Sequence, residues 1–252
     1  MRLILTNKII LRFQLSLFYV IIFTLIIPGA SAQDTLLNKY GLWVIHDVAL
    51  LQKTTTKDPA KAMVDLKQVI STLQFDLRYA GKNNFMHQQL YPKIKTTYIR
   101  KAAADLLAAV QQELNKQGLG LKIFDAYRPY SVTEKLWEPV KDDRYAADPK
   151  KGSGHNRGIA VDLTIIRLNS KEELSMGTGF DNFSDTAHHT FTNLPDTVLQ
   201  NRLLLKSTME KHGFKALDTE WWHYYLPNTT TYELLDIDFK TLKLLNKKKH
   251  DN

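Results

Sequence analysis

Between Gly158 and Leu168 the chain carries the alternation of a strand with two unlike faces. Ile159, Val161, Leu163 and Ile165 recur at every second position, and Ala160, Asp162 and Thr164 fill the places between them. A period of two sends these sets to opposite sides of a strand. The first side belongs in a core. The second carries a carboxylate next to a small residue, which leaves room for something to bind.

The other segments do not repeat this pattern in any regular strand–helix rhythm. Tyr98–Gln117 has Ala102, Leu106, Ala109, Val110 and Leu114 at helical spacing, with Gly118 and Gly120 beyond it. The short apolar run Leu121–Phe124 reads as a strand delivering a loop at 125–129. A helix is expected over Ser131–Val140, with Ser131 as N-cap and Glu134 three residues on. Others are expected near Pro59–Ile70 and over Thr197–His212, the latter closed by Gly213. The last strand is expected at Trp222–Leu226, before Pro227. Elements of mixed length predict an α+β fold: one domain with a central antiparallel sheet flanked by helices.

The chain contains no cysteine, so a thiolate ligand and a cysteine nucleophile are excluded. At the N-terminus Arg2, Lys8 and Arg12 precede the apolar run Leu15–Ile27, and Ala30 and Ala32 follow as an A-x-A site. This is a secretory signal pattern, with cleavage expected after Ala32 and an exported, periplasmic protein. The run is short for a membrane span. The expected organisation is a signal at 1–32, an N-terminal extension at 33–70, a main folded domain at 71–235 and a basic, solvated tail at 236–252. The formal charge of +8 is moderate, and no nucleic-acid motif or aromatic stripe accompanies the basic residues.

Two constellations carry chemistry. His155 sits in a Gly-flanked loop seven residues before Asp162, and Gly158 allows that loop to turn back. His223 lies on the last strand, with Glu220 three residues earlier. Two histidines and one carboxylate are a common catalytic zinc set, because they leave a fourth position open for water. A carboxylate beside that water, but not on the metal, is the general base such chemistry requires. Positions three apart in a strand face opposite ways, so Glu220 reaches the site only if the chain bends where the strand begins. His188 and His189 are expected to play a structural part or to support the site from behind its ligands, rather than to bind a second metal, since adjacent side chains diverge. Trp221 and Trp222 are expected to shape a pocket wall.

The sequence resembles the zinc D-alanyl-D-alanine dipeptidases, the family that includes the enzyme of vancomycin resistance. The resemblance runs from about Thr72 to Leu226. It rests on RYAGKNNF from Arg78 to Phe85, DAYRP from Asp125, SGHNRGIAVDLT from Ser153, MGTGFD from Met176 to Asp181, His188–His189, and EWWHY from Glu220. The resemblance implies one zinc ion held by His155, Asp162 and His223, with a cleft on the sheet as its site. It implies Glu220 as catalytic base and Arg128 as the group stabilising the tetrahedral intermediate. Asp181 and Tyr79 would receive the substrate's ammonium group, and Ser153 would contact its other end. The expected substrate is the dipeptide D-Ala-D-Ala, used in cell-wall turnover or salvage. Two other readings stay open: a zinc D,D- or L,D-carboxypeptidase acting on peptidoglycan stems, and a non-catalytic zinc-binding cell-wall module.

Overall fold

A computed structural model describes residues 37–248. The signal pattern and the cleavage point at Ala32 lie outside the described residues. In chain order the elements are β1 (Val44–Ile45), α1 (Val48–Lys57), β2 (Met63–Asp65), α2 (Leu66–Val69), β3 (Gln74–Phe75), β4 (Tyr98–Arg100), α3 (Lys101–Asn115), β5 (Leu119–Asp125) and α4 (Tyr130–Val140). Then follow β6 (Ala160–Arg167), α5 (Asp196–Lys211), β7 (Lys215–Leu217), β8 (Glu220–Tyr225), β9 (Leu234–Leu235) and α6 (Phe239–Lys248).

The α+β reading holds. The main sheet has the order β3-β5-β6-β8-β7. It is antiparallel apart from the short edge strand β3, which runs parallel to β5. Ile159, Val161, Leu163 and Ile165 pack in one core with Leu107 and Val110 of α3 and Leu205 and Met209 of α5. Both sides of β6 are buried through Ile166, so the face bearing Asp162 is an interior cleft rather than open surface. On α3 the buried positions Ala103, Ala104, Leu107, Val110, Gln111 and Leu114 trace one stripe. Gly118, at φ +71°, releases the chain from that helix into β5.

Five local expectations are corrected. Tyr98–Arg100 is strand, not helix, because it pairs antiparallel with β2. The fully buried Arg100 guanidinium is used up on the carbonyls of Lys61, Arg157 and Glu233. Pro59–Ile70 is not one helix but a 3₁₀ turn, a strand and the four-residue α2. Ser131 is not the N-cap of α4; Pro129 is, and the Ser131 amide and hydroxyl both donate to Asp236 instead, at 3.0 and 2.8 Å. Nor is Trp222–Leu226 the last strand or the segment after 236 a solvated tail. β9 pairs parallel with β1, and α6 buries Phe239, Leu242 and Asn246 while Lys240, Lys243 and Lys247 stay exposed. Two apolar residues and an asparagine spaced along one helical face anchor this segment; Asn246 closes it onto β2 through Met63 and Asp65.

Candidate active site

Strand register assembles the site. Asp162 on β6 pairs with His223 on β8. On its other side a register shift in β5 brings Asp125 opposite the same Asp162. Three functional side chains therefore stand in one row across adjacent strands, where directly opposed residues lie about 5 Å apart.

His155 reaches this row from the loop before β6. The loop folds back through Gly158 N–H to the His155 carbonyl (3.0 Å) and Ile159 N–H to the Gly154 carbonyl (2.9 Å). Gly158 has φ +68°, a conformation that favours glycine, and a Cβ there would lie 2.8 Å from the Met63 sulfur, which would have to shift. The His155 Nδ1 lies 2.6 Å from the Ala126 carbonyl. A carbonyl only accepts, so Nδ1 carries the proton and Nε2 offers a lone pair.

That Nε2 lies 3.2 Å from His223 Nδ1 and 3.3 Å from an Asp162 oxygen, and His223 Nδ1 is 2.9 Å from the other Asp162 oxygen. Bonds of about 2.0–2.2 Å in a tetrahedral centre set ligand atoms roughly 3.3 Å apart. The spacing of these three atoms suits such a centre, and the three residues could hold a metal ion. Burial alone would raise the Asp162 carboxyl, but the imidazoles of His155 and His223 outweigh it and hold Asp162 well below the usual carboxylate range.

Glu220 joins the row through the bend its position demands. Ala216 of β7 faces Tyr224 of β8, yet the next residue, Leu217, faces Glu220. One step on β7 thus spans four on β8, and the intervening Trp221–His223 segment bulges. Glu220 Oε2 ends 3.9 Å from His223 Nδ1. Burial pushes the Glu220 carboxyl up to about 7, with His223 pulling the other way and Asp162 adding to the rise. Trp221 and Trp222 are both buried and meet edge to face at 5.3 Å. Trp221 donates to the Thr178 hydroxyl at 2.7 Å, tying β8 to the 176–181 loop.

Arg128 is nearly buried and held by a partner to which the sequence reading assigned no role. Its Nε and one terminal nitrogen both donate to one oxygen of Asp125, at 3.1 and 2.8 Å. Tyr91 and the Ala126 amide donate to the same carboxylate. The three-residue spacing of Asp125 and Arg128 was the available signal. Arg128 also lies over the Tyr79 ring, 5.1 Å from its centre. The Tyr79 hydroxyl in turn donates to both oxygens of Asp181, at 3.1–3.2 Å. Burial, reinforced by the Asp162 charge, pushes Asp181 well above the usual carboxylate range. The Ser153 hydroxyl accepts from the Asn156 amide at 3.1 Å, which leaves its own proton free to donate.

All eight residues singled out from the sequence line one cleft of about 170 Å³. His188 and His189 do not. The His188 carbonyl accepts from Arg202, and the His189 ring packs on Tyr224 at 6.2 Å.

Two imidazoles and a carboxylate converging in a cleft, with a second carboxylate beside them, are the donor set of a metal-dependent hydrolase. The chain belongs to the peptidase family described as D-Ala-D-Ala dipeptidase, which matches residues 59–241; it is an enzyme, a metallopeptidase of the dipeptidase type. The D-alanyl-D-alanine dipeptidase of Escherichia coli (strain K12) is 36% identical over 177 residues, covering 70% of this chain and 91% of that protein. The D-alanyl-D-alanine dipeptidase of Enterococcus faecalis (strain ATCC 700802 / V583) is 30% identical over 189 residues, covering 66% and 94%. A solved structure of the LdcB LD-carboxypeptidase overlaps 64% of this chain and 69% of its own at a TM-score of 0.36 and 21% identity, a likeness from which no residue role is transferred.

Proposed function

We propose that this protein hydrolyses D-alanyl-D-alanine to two D-alanines, using one zinc ion per chain held by His155, Asp162 and His223. The observation that carries this reading is the convergence of three ligand atoms within 4.8 Å of one another, with Glu220 beside them. Zinc at these ligands supplies Lewis acidity, which polarises a carbonyl and makes water nucleophilic near neutral pH.

The protein's own groups do the rest. Glu220 takes a proton from the attacking water and passes it to the leaving amine. Arg128, fixed by Asp125, presents positive charge where the oxyanion develops, and a preorganised donor of this kind is worth about 10²–10³ in rate. Asp181 and Tyr79 receive the free ammonium. A cation brought to Asp181 offsets the burial, reinforced by the Asp162 charge, that raises its pKa, whereas an acylated nitrogen brings no charge to this buried acid. Ser153 contacts the other end of the dipeptide. The names of the relatives support the substrate, and the buried acid supports a free amino end over a stem-peptide carboxypeptidase.

The test is a hydrolysis assay of the zinc-loaded protein with D-Ala-D-Ala and L-Ala-L-Ala, alongside Glu220→Ala. Release of D-alanine from the D,D-dipeptide alone, lost in the variant, is expected. No release, or full activity in the variant, overturns the reading. Export to the periplasm, with a role in cell-wall turnover or dipeptide salvage, is part of the proposal. The signal pattern through Ala32 supports it, and a protein isolated from its host that does not start at Gln33 speaks against cleavage there.

A further inference from the structure

The loop that presents Asp181 to the cleft is held from behind by one side chain of α5. Arg202 is 4% exposed. Its Nε donates to the Met176 carbonyl at 2.7 Å, and its terminal nitrogens donate to the carbonyls of Thr186 at 2.8 Å and His188 at 3.1 Å. Met176 lies five residues before Asp181 and Thr186 five residues after it. One guanidinium therefore ties together both ends of the turn in which Asp181 sits. A planar fork of N–H groups can span three separate carbonyls, whereas an ammonium is a single point.

Two further observations single out this clamp. Asp181 has φ +58°, a left-handed conformation that is uncommon outside glycine and persists where the surrounding structure imposes it. Its carboxylate lines the cleft and receives the Tyr79 hydroxyl. Arg202, for its part, forms no ion pair with a carboxylate among the described residues; its printed partners are the three carbonyls. Burying a cation is costly unless it is paired and hydrogen-bonded, so an apolar side chain would serve packing alone better. What the guanidinium adds is the hold on the loop.

We propose that Arg202 is a positioning residue for the substrate's amino end: by fixing both ends of the 176–188 loop it keeps Asp181 in the left-handed turn that aims its carboxylate into the cleft. This rests on the reading of Asp181 as the ammonium site and goes beyond it, since Arg202 does not itself line the cleft. Without the clamp the turn relaxes toward ordinary backbone angles and the carboxylate leaves its place. The ammonium is bound alike in the ground state and the transition state, so misplacing its partner raises KM and leaves kcat nearly unchanged. A merely structural role would lower the fraction of folded enzyme, and with it the apparent kcat, at unchanged KM.

The experiment measures steady-state hydrolysis of D-Ala-D-Ala by the zinc-loaded wild type, Arg202→Gln, Arg202→Lys, Asp181→Asn and the double variant Asp181→Asn/Arg202→Gln. Circular dichroism melts and elemental zinc analysis check that each is folded and loaded, and two replacements at position 202 guard against one failing to fold. KM should rise about tenfold or more in Arg202→Gln with kcat within about threefold of wild type, because a displacement of about 1 Å can cost about 10²-fold. Arg202→Lys keeps the charge on a single donor nitrogen and should behave like Arg202→Gln rather than like wild type. In the Asp181→Asn background the Arg202 change should add less than about twofold to KM, since the carboxylate it acts through is already gone. Wild-type KM in the folded Arg202 variants, a loss confined to kcat, or full additivity in the double variant overturns the clamp and leaves the catalytic reading in place. Wild-type KM in Asp181→Asn overturns the ammonium assignment and the clamp together. A wild type that releases no D-alanine overturns the substrate reading as well.

Discussion

Replacing Asp125 by asparagine should unfold this protein more readily than almost any other change of its size. Asp125 is fully buried and Arg128 is 7% exposed. Two Arg128 nitrogens, the Tyr91 hydroxyl and the Ala126 amide all donate to this one carboxylate. Asparagine keeps the shape but removes the charge and presents an NH₂ to a ring of donors. Arg128 cannot shed its own charge. The next carboxylate oxygen, on Asp162, is 4.0 Å away and already engaged with His155 and His223. Leaving one member of a buried ion pair unpartnered costs about 3–5 kcal/mol. With a urea slope of about 1–3 kcal/mol/M, that moves the unfolding midpoint down by about 1 M or more. The assay is urea unfolding followed by tryptophan fluorescence, in EDTA so that metal binding does not enter. The double variant Asp125→Asn/Arg128→Met removes the stranded charge and should be more stable than the sum of the singles by about 2–3 kcal/mol. A single variant within about 1 kcal/mol of wild type, or strict additivity in the double, would refute the claim that this pair is held as a unit.

Three further outcomes are expected. Glu220→Gln should lower kcat by about 10²–10⁴ with zinc content unchanged by elemental analysis; loss of metal in this variant would mean that Glu220 is a ligand rather than a base. Gly158→Ala forces a side chain into φ +68° and against the Met63 sulfur, which should cost about 2–4 kcal/mol in a urea melt and weaken zinc retention through His155. Burial depresses the pKa of His189 to about 4, with the positive charges of Lys206 and Arg202 adding to the shift. The unfolded chain, at about 6.5, then binds this proton first. Its contribution to stability is therefore complete above pH about 6.5 and is lost as pH falls from there toward 4. His189→Gln should flatten the stability profile across that window, and an unaltered slope would show that His189 does not titrate there.

Much of the site was legible along the chain because its parts are short-range. His155, Gly158 and Asp162 lie within eight residues, and the turn that unites imidazole and carboxylate follows from the glycine alone. The problem with Glu220 was legible too, since strand periodicity says that positions 220 and 223 diverge. Its solution, a bulge opposite Ala216 and Leu217, belongs to a partner strand. Tyr98–Arg100 was misread as helix because the alanines beyond it extend a good helical pattern backwards, and only the pairing with β2 overrules that pattern. The C-terminal segment was misread because lysines dominate its composition, whereas Phe239, Leu242 and Asn246 decide where it docks.

The division follows from the range of the forces. By itself, the sequence determined which side chains can share a face, where the chain must turn, and that any metal site has to be made of histidine and carboxylate. A period of two assigns Asp162 to a face but cannot name its neighbours. Only tertiary structure decided that Asp125 and His223 stand on either side of it, and that Phe85 and Tyr145 line the same cleft. Those contacts join segments tens of residues apart. They arise from strand register and loop packing, which depend on how the whole core closes rather than on any local stretch of chain.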